Sequence, residues 1–376
     1  MYDAIIVGGG PSGAAVAGAL AERGFSVLIV EEHREVGRPV QCSGLVSPAV
    51  LRMAGSSQRV RLREFKKAKI FTGKEELDIS ASDVKAVAMD RAMFDRELME
   101  KAVRKGADIM LGTRAVSFRR DERGILSDLR SSGESITIRS RVLIGADGVT
   151  SSVARAFDMG RPKEVLGAFQ AHITDEVDEI RIWPEPDSAF FTWQIPMEDG
   201  SLIGTASPGN PPALSILKRR FPGFESRSIT YHGGAIPIGN SRKITDKNVA
   251  LVGDAAVQVK PLSGGGLYPG LSAARILVDS TVSALEKDST DLSSYQKKWQ
   301  SDVGKEIKNG MYIRKVYAEL SEKDMEKIMH ELNNANSKRI ISELGDIDHP
   351  SLLARPLVKS TPKLLVFARH LLGLLI

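Results

Sequence analysis

The stretch MYDAIIVGGGPSGAAVAGALAERGFSVLIVEE, residues 1–32, decides the fold. Its apolar run AIIV, residues 4–7, is typical of a strand that is buried on both faces. Gly8, Gly10 and Gly13 follow with the spacing GxGxxG. In such a unit the first glycine allows a tight turn, the second admits a phosphate, and the third lets the helix pack closely on the strand. The stretch therefore predicts a site for the pyrophosphate of a dinucleotide.

The residues after the glycines support the same interpretation. Pro11 suits the first turn of a helix that Gly24 ends, and we assign Pro11 and Ser12 to the cofactor site as well. A second apolar run, residues 25–30, ends in Glu31, where a carboxylate that binds ribose belongs. An acidic residue at this place favours a free ribose 2′-hydroxyl, and so FAD or NAD rather than NADP. The structural alternative is a glycine-rich turn that binds nothing.

Two later stretches repeat the pattern of an apolar strand that runs into a glycine and then an aspartate, Gly145-Ala146-Asp147 and Gly253-Asp254, and they distinguish FAD from NAD. VLIGADGVTSSVAR contains Asp147, and NVALVGDAAVQVKPLSGGGLYPG contains Asp254. Three glycines then precede a long helix: Gly264, Gly265 and Gly266. A carboxylate can accept hydrogen bonds from ribityl hydroxyls, and a glycine-rich helix N-terminus favours the negative charge of a reduced flavin. Both aspartates could instead be helix caps or turn residues. The three motifs in this order favour FAD.

These motifs resemble the flavoprotein monooxygenase-like class, whose type member is p-hydroxybenzoate hydroxylase. Within that class the chain is similar to the geranylgeranyl reductase family, through GRPVQCSGLVS, FFTWQIP, GGAIPIG and VGDAAVQVKPLSGGGLYPG. The resemblance covers about residues 1–285. It implies an α/β fold with a Rossmann-like FAD-binding domain of the p-hydroxybenzoate hydroxylase (GR2) type. An inserted, mainly antiparallel β-sheet domain would bind the substrate, and a helical region would form the C-terminus.

The domain boundaries follow from the same patterns. Aromatic and β-branched residues alternate in the segments between the motifs, as in a sheet, and charged residues with apolar ones at helical spacing dominate after Ser289. We expect a discontinuous FAD-binding domain at 1–65, 85–160 and 240–285, a substrate domain at 66–84 and 161–239, and the helical region at 286–376.

The resemblance also implies roles for individual residues. Glu31 would bind the adenosine ribose, Asp254 would hold the ribityl hydroxyls or the phosphates, and Arg91 in MDRAMFDREL would lie near the phosphates or the ribityl chain. Gly265 and Gly266 would face the isoalloxazine ring, and Cys42 would lie beside it. We add Arg38, Asp147 and Gly264 to the expected cofactor site.

The implied activity is the FAD-dependent saturation of C=C bonds in geranylgeranyl chains, as found in archaeal-type membrane ether lipids. Such an alkene is not polarised, so a proton donor must act together with the hydride. Cys42 and Tyr268 are the candidate catalytic residues, and Phe191, Trp193 and Tyr268 are the candidate substrate contacts. In the alternative interpretation Cys42 is a small buried residue and the aromatic residues are ordinary sheet core. His172 and His232 are weaker candidates for the proton donor.

Composition limits the partners. A net charge of +5 without interleaved aromatic and basic residues argues against nucleic acid. The single cysteine excludes a disulfide framework, few histidines argue against a metal site, and no signal peptide or apolar run long enough to span a membrane is evident. We therefore expect a cytoplasmic protein that takes electrons from outside: from NAD(P)H, ferredoxin or another donor. The leucine-rich segment 364–376 would dock on protein or make peripheral contact with the inner face of the membrane.

Two other functions stay open at this point. One is an FAD-dependent aromatic hydroxylase or monooxygenase, and the other is a non-catalytic FAD protein that relays electrons. A halogenase is disfavoured because its WxWxIP motif is represented here by a single tryptophan in FTWQIP.

Overall fold

The computed structural model describes residues 1–239 and 243–367. The described chain forms three β-sheets, with helices around the first sheet and a helical region at the C-terminal end. The strands are β1 Tyr2–Val7, β2 Val27–Val30, β3 Leu45–Val46, β4 Arg61–Phe65, β5 Lys67–Thr72, β6 Glu75–Ser80, β7 Ala86–Met89, β8 Asp108–Met110, β9 Thr113–Asp121, β10 Gly124–Ser131, β11 Glu134–Gly145, β12 Glu164–Ile173, β13 Ile180–Glu185, β14 Phe190–Met197, β15 Gly200–Ser207, β16 Ser228–Ile238, β17 Thr245–Asp246 and β18 Val249–Leu251. The helices are α1 Pro11–Ala21, α2 Pro48–Ala54, α3 Arg91–Arg104, α4 Ser152–Ala156, α5 Ala213–Arg220, α6 Leu267–Glu286, α7 Ser293–Ser301, α8 Val303–Ala318, α9 Glu322–Leu332, α10 Ala335–Leu344 and α11 Ala354–Ser360.

The first sheet carries the N-terminal motif. Its main order is β17-β18-β11-β1-β2-β8, and β1, β2, β8, β11 and β18 are parallel. Residues 4–7 of β1 and all of β2 are buried aliphatic residues because helices cover the sheet. The expected strand, glycine turn, helix and second strand are confirmed, although β2 begins at Val27 rather than at Phe25.

The second sheet has seven strands in the order β16-β12-β15-β14-β13-β5-β6. Its pairings are antiparallel except for the parallel contact between β13 and β5. One face packs under α5, where Leu217 and Phe224 are fully buried. The opposite face carries a larger apolar cluster that includes Phe190 and Trp193 and lies against the first sheet's loops. The expected mainly antiparallel inserted sheet is therefore confirmed.

The C-terminal region is helical, as expected. Helices α9 and α10 pack against β6, and α8 contacts the loop before α6 through Gly310, whose hydrogen faces Pro261. Of the leucine-rich segment, Leu364 and Leu365 lie in a short 3-10 helix, while its leucines after residue 367 lie outside the described residues. Among the residues that the structure describes, no helix has the length and apolar character that crossing a bilayer requires.

Candidate functional site

The site lies at one edge of the first sheet. Strands β1, β2, β11 and β18 are parallel, so their carboxyl ends meet at the same edge. Gly8 and Glu31 directly follow β1 and β2, and Asp147 and Asp254 lie two and three residues beyond the ends of β11 and β18. Ligands of open α/β sheets bind outside the carboxyl ends of the strands, so the topology brings the three sequence motifs to one place.

The glycine turn after β1 is fitted closely to the loop after β11. Gly8 has a φ of 103°, and a Cβ atom on it would lie 2.3 Å from the carbonyl oxygen of Ala146. A Cβ atom on Gly13 would lie 2.2 Å from the carbonyl oxygen of Gly8. Both positions therefore need glycine for the fold itself, because any side chain would collide with backbone.

Gly10 is different, because the space beside it is open. No heavy atom lies within 4 Å of a Cβ atom built on Gly10, and its φ of −68° is one that any residue adopts. Gly10 is also the N-cap of the 11-residue helix α1, and no side chain in the described chain caps that helix. The first-turn amides and the positive end of the helix dipole thus face free space, which fits a phosphate group.

Glu31 braces this turn. Its Oε2 accepts a hydrogen bond of 2.7 Å from the Gly9 amide, and its Oε1 accepts one of 2.8 Å from the His33 amide. The His33 Nδ1 atom lies 2.6 Å from the same Oε1. The carboxylate is therefore held at the end of β2 next to the glycine turn. Its contact with a ribose stays a prediction.

Two glycines bring the segment GRPVQCSGLVS, residues 37–47, which we call the cysteine loop, onto the start of α3. Cβ atoms on Gly37 and Gly44 would lie 2.8 Å and 2.6 Å from the carbonyl oxygens of Ala92 and Met89, and both glycines have positive φ values. Cys42 is partly buried in this loop, and its Sγ accepts a hydrogen bond of 3.4 Å from the Gly44 amide. The loop is thus anchored on both sides of Cys42.

Arg91 links the cysteine loop to α3. Its Nε and Nη2 atoms donate hydrogen bonds of 3.1 Å and 3.0 Å to the two carboxylate oxygens of Asp95, and its side chain interacts electrostatically with Cys42. Burial opposes the charge on Arg91, but the attraction of Cys42 and Asp95 outweighs it and raises the pKa of the guanidinium. Arg91 therefore stays charged although its side chain is mostly buried, with only 15% of it exposed.

Asp254 is within range of the charge of Arg91. It follows β18 in a short 3-10 helix, and a Cβ atom on Gly266 would lie 2.8 Å from its Oδ1. Burial raises the pKa of Asp254 to about 6, although the charge of Arg91 acts in the opposite direction. Within residues 1–239 and 243–367, no hydrogen bond to its carboxylate is found. A buried carboxylate without a donor suits a ligand that brings hydroxyl groups.

This buried carboxylate makes the stability of the ligand-free protein depend on pH. Because the pKa of Asp254 is raised on folding, its charged form destabilises the fold once the pH exceeds the ordinary aspartate range, and fully above about pH 6. We expect Asp254→Asn to raise the free energy of unfolding by about 2 kcal/mol near pH 8. The gain should decline as the pH falls from about 6 to about 4. Urea unfolding of the ligand-free protein across this range measures it, and a gain that does not change with pH would contradict the assignment.

Asp147 and Arg38 are placed differently. The carboxylate of Asp147 accepts hydrogen bonds from the Ser151 hydroxyl and from the amide and hydroxyl of Ser152, at 2.6–2.7 Å. It therefore caps α4, which is the alternative that the sequence left open. Arg38 is exposed and pairs with Glu35 at 3.2 Å. A cofactor contact of either residue stays a prediction.

The turn of three glycines, residues 264–266, follows β18 of the first sheet and contacts the second sheet. Gly264 has a φ of 69°, and a Cβ atom on it would lie 2.9 Å from Ile236 Cδ1 and 3.2 Å from Phe190 Cζ of the second sheet. Gly266 is the N-cap of α6, again without a capping side chain in the described chain. Tyr268, in the first turn of α6, lies with its ring 5.0 Å from that of His349. Apolar side chains of the second sheet thus reach the turn.

The aromatic residues of FFTWQIP form a compact group on this sheet face. The rings of Phe190 and Phe191 stack at 4.7 Å, and that of Trp193 lies 5.8 Å from Phe191. Trp193 is opposite Gly204, and Gly204 is opposite Gln170 on the next strand. A Cβ atom on Gly204 would lie 2.3 Å from Trp193 Cζ2, so the indole lies across this glycine.

Sequence reasoning missed Gln170, Gly204 and Asp95. The Trp193 Nε1 and Gln170 Oε1 atoms are both buried without a hydrogen-bond partner, which makes them a donor and an acceptor available beside the apolar cluster. Only the pairing of β12, β14 and β15 brings them together, so no local signal could have found them. Asp95 could have been noticed as the (i, i+4) partner of Arg91 on a helix.

Comparison with known proteins agrees with this site. Residues 1–217 match the family described as FAD binding domain. The chain is 31% identical to the digeranylgeranylglycerophospholipid reductase of Methanothrix thermoacetophila, over 98% of this chain and 99% of that protein. It is 28% identical to digeranylgeranylglycerophospholipid reductase 2 of Methanopyrus kandleri, over 99% of both chains.

A solved structure shares the whole fold. The geranylgeranyl bacteriochlorophyll reductase-like protein of Thermoplasma acidophilum superposes with a TM-score of 0.87 at 21% identity, over 99% of each chain. At that identity the likeness concerns the fold, whereas the archaeal relatives match in sequence over nearly their full length. The chain therefore belongs to the FAD binding domain family, binds FAD as its cofactor, and is a member of the digeranylgeranylglycerophospholipid reductase family.

Proposed function

We propose that this chain is an FAD-dependent reductase that saturates C=C bonds of geranylgeranyl chains in archaeal-type membrane lipids. The observation that carries the proposal is the apolar face of the second sheet, which meets the cysteine loop and the turn of three glycines. A Cβ atom on Gly234 would lie 3.3 Å from the Gln41 carbonyl oxygen, so this face borders the residue before Cys42. The two archaeal relatives are named as reductases of digeranylgeranylglycerophospholipid. We extend that substrate class to this chain.

We assign the FAD contacts from the geometry of the sheet edge. The open space beside Gly10 would take the pyrophosphate, and Glu31 would take the adenosine ribose. Asp254 would accept hydrogen bonds from the ribityl hydroxyls next to the charge of Arg91. The uncapped start of α6 at Gly266 would face the ring.

When bound, reduced FAD supplies a hydride to one alkene carbon, and a proton must reach the other carbon. Tyr268 suits the proton donor because burial, and then the charges of Asp348 and Asp346, raise the pKa of its phenol and keep it protonated. Cys42 is the second candidate, held at Arg91 in the loop that borders the sheet. The apolar side chains around Phe190 and Trp193 would exclude water from the reacting carbons.

The decisive experiment is anaerobic. The yellow protein is reduced with dithionite and mixed with digeranylgeranylglycerophospholipid, and the lipid is analysed by mass spectrometry. The reductase proposal expects stepwise gains of two hydrogen atoms per double bond. No gain in lipid mass, together with flavin reoxidation and hydroxylation of an aromatic compound in a parallel assay with oxygen, would instead indicate the hydroxylase alternative. Turnover of neither substrate would leave the electron-relay alternative.

Two variants separate the candidate proton donors. We expect the variant that removes the true donor, Cys42→Ser or Tyr268→Phe, to lower the rate of lipid reduction by about 100-fold or more, because a positioned acid contributes at least that much. The other variant should lose less than about tenfold. Rates are measured in single turnover with pre-reduced protein, so that the electron donor does not matter. Equal, small losses in both variants would place the proton donor elsewhere.

The reducing partner and the lipid surface belong to the same proposal. Reduction of the bound cofactor requires an external donor, and NAD(P)H and ferredoxin are the two that we would test. A lipid substrate must leave a bilayer to reach the sheet face, so we propose peripheral contact with a membrane surface.

A further inference from the structure

A buried ion pair lies directly behind the turn of three glycines. Lys260 Nζ lies 2.8 Å from Asp348 Oδ1 and donates a hydrogen bond of 2.7 Å to the Ile347 carbonyl oxygen. Only 9% of Lys260 and 3% of Asp348 are exposed. The two residues are 88 positions apart, and the pair joins the loop before α6 to the segment between α10 and α11.

The turn of three glycines wraps around the side chain of Lys260. The Lys260 amide donates to the Gly265 carbonyl oxygen at 3.1 Å, and the Gly264 amide donates to the Lys260 carbonyl oxygen at 2.9 Å. A Cβ atom on Gly265 would lie 2.7 Å from Lys260 Cε and 3.1 Å from its Nζ. The ammonium group therefore lies against the backbone of the turn itself.

The carboxylate of the pair also reaches the cysteine loop. The Ser47 hydroxyl donates a short hydrogen bond to Asp348 Oδ2, and the same hydroxyl caps α2 by accepting from the Val50 amide. Ser47 is the last residue of GRPVQCSGLVS. Asp348 thus contacts the two segments that flank the proposed ring site, one through Lys260 and one through Ser47.

We infer that Lys260 and Asp348 are positioning residues that set the electrostatic potential at the turn of three glycines and thereby the reduction potential of bound FAD. Reduced flavin carries negative charge near the amides of such a turn, so the Lys260 ammonium favours the reduced form and the Asp348 carboxylate opposes it. The C-terminal helical region is then part of the redox site. This inference rests on the proposed placement of the ring at the turn, and not on the prenyl substrate.

The test is the two-electron reduction potential of the FAD-loaded protein, measured by equilibration with xanthine, xanthine oxidase and a reference dye. A unit charge buried beside a redox group changes its equilibrium by roughly one to two orders of magnitude. We expect Asp348→Asn to favour the reduced form by at least about tenfold, or about 30 mV, and Lys260→Met to disfavour it by a similar factor. The opposite signs are the signature of charge, because a loss of packing alone would not change sign.

Ser47→Ala is the matched control. It removes a hydrogen bond from the same network without changing any charge, so the equilibrium should change by less than about threefold. If Lys260→Met leaves Asp348 uncompensated and does not fold, the double variant Lys260→Met/Asp348→Asn removes both charges together. Compared with Asp348→Asn, the double variant should disfavour the reduced form by at least about tenfold.

Two results would overturn the inference. Shifts of Asp348→Asn and Lys260→Met in the same direction would show that loosening of the turn dominates. Shifts below about threefold in all variants would show that the pair only stabilises the fold. Neither result would bear on the prenyl assay, since lipid reduction is scored by mass and the potential is scored without lipid.

Discussion

Gly10→Ala is expected to abolish tight FAD binding while leaving the fold intact. A methyl group at this position meets no heavy atom of the described chain within 4 Å, so only a ligand can collide with it. The backbone φ of −68° suits alanine, and the stability of the protein should change by less than about 1 kcal/mol. The added methyl would occupy the space through which a phosphate approaches the first turn of α1. We expect the dissociation constant of FAD to rise by about 100-fold or more, which corresponds to about 3 kcal/mol.

The same substitution at two other glycines provides the controls. Gly8→Ala should prevent folding, because its Cβ atom would lie 2.3 Å from the Ala146 carbonyl oxygen at a φ of 103°. Gly167→Ala, on the second sheet with its nearest neighbour at 3.9 Å, should change neither stability nor FAD affinity. Flavin fluorescence titration gives the affinity and thermal unfolding gives the stability. Normal FAD affinity of Gly10→Ala would refute the assigned pyrophosphate site.

Arg91→Met is expected to lower stability strongly without preventing folding. Its guanidinium makes a bidentate pair with Asp95, and both side chains are nearly closed from solvent, with 15% and 11% exposed. Removing one partner leaves a buried carboxylate uncompensated, which costs about 3–5 kcal/mol. Burial already raises the pKa of Asp95 with Arg91 present, and the loss of the guanidinium charge, which lowers that pKa, should raise it further.

The double variant Arg91→Met/Asp95→Leu separates stability from function. Replacing both charges with apolar side chains removes the uncompensated carboxylate, so most of the lost stability should return. FAD affinity should stay low, since the double variant still lacks the charge that we assign to the ribityl and phosphate side of the site. Urea unfolding and fluorescence titration measure the two quantities. If both the stability and the FAD affinity recovered, Arg91 would be only a structural residue of α3.

The sequence determined the features that are built from contiguous residues. The strand, glycine turn and helix at Gly8–Gly13 lie within one short stretch, and their spacing is imposed by the backbone geometry of a phosphate turn. The glycine and aspartate that come with the ends of β11 and β18 were recognisable for the same reason. Together with the resemblance in GRPVQCSGLVS and FFTWQIP, they were enough for the fold, the cofactor and the family.

The tertiary structure decided which polar side chains have partners. Asp147 and Asp254 follow similar strands, but the first accepts hydrogen bonds from the start of α4 while the second faces Arg91 without a donor in the described chain. Their sequences alone could not separate these roles, because each aspartate comes soon after a glycine at the end of an apolar run. The difference arises from the segment that packs on each strand end: the start of α4 at Asp147, and the region of Arg91 at Asp254.

Contacts between distant segments were beyond the sequence for the same physical reason. Trp193 and Gln170 become neighbours across Gly204 only through the register of three antiparallel strands, and a shift of one residue would turn them to opposite faces. Lys260 meets Asp348 only because the C-terminal helical region folds back onto the turn of three glycines. Local periodicity determines the elements of this protein, whereas charge pairing and burial at the site depend on how those elements pack.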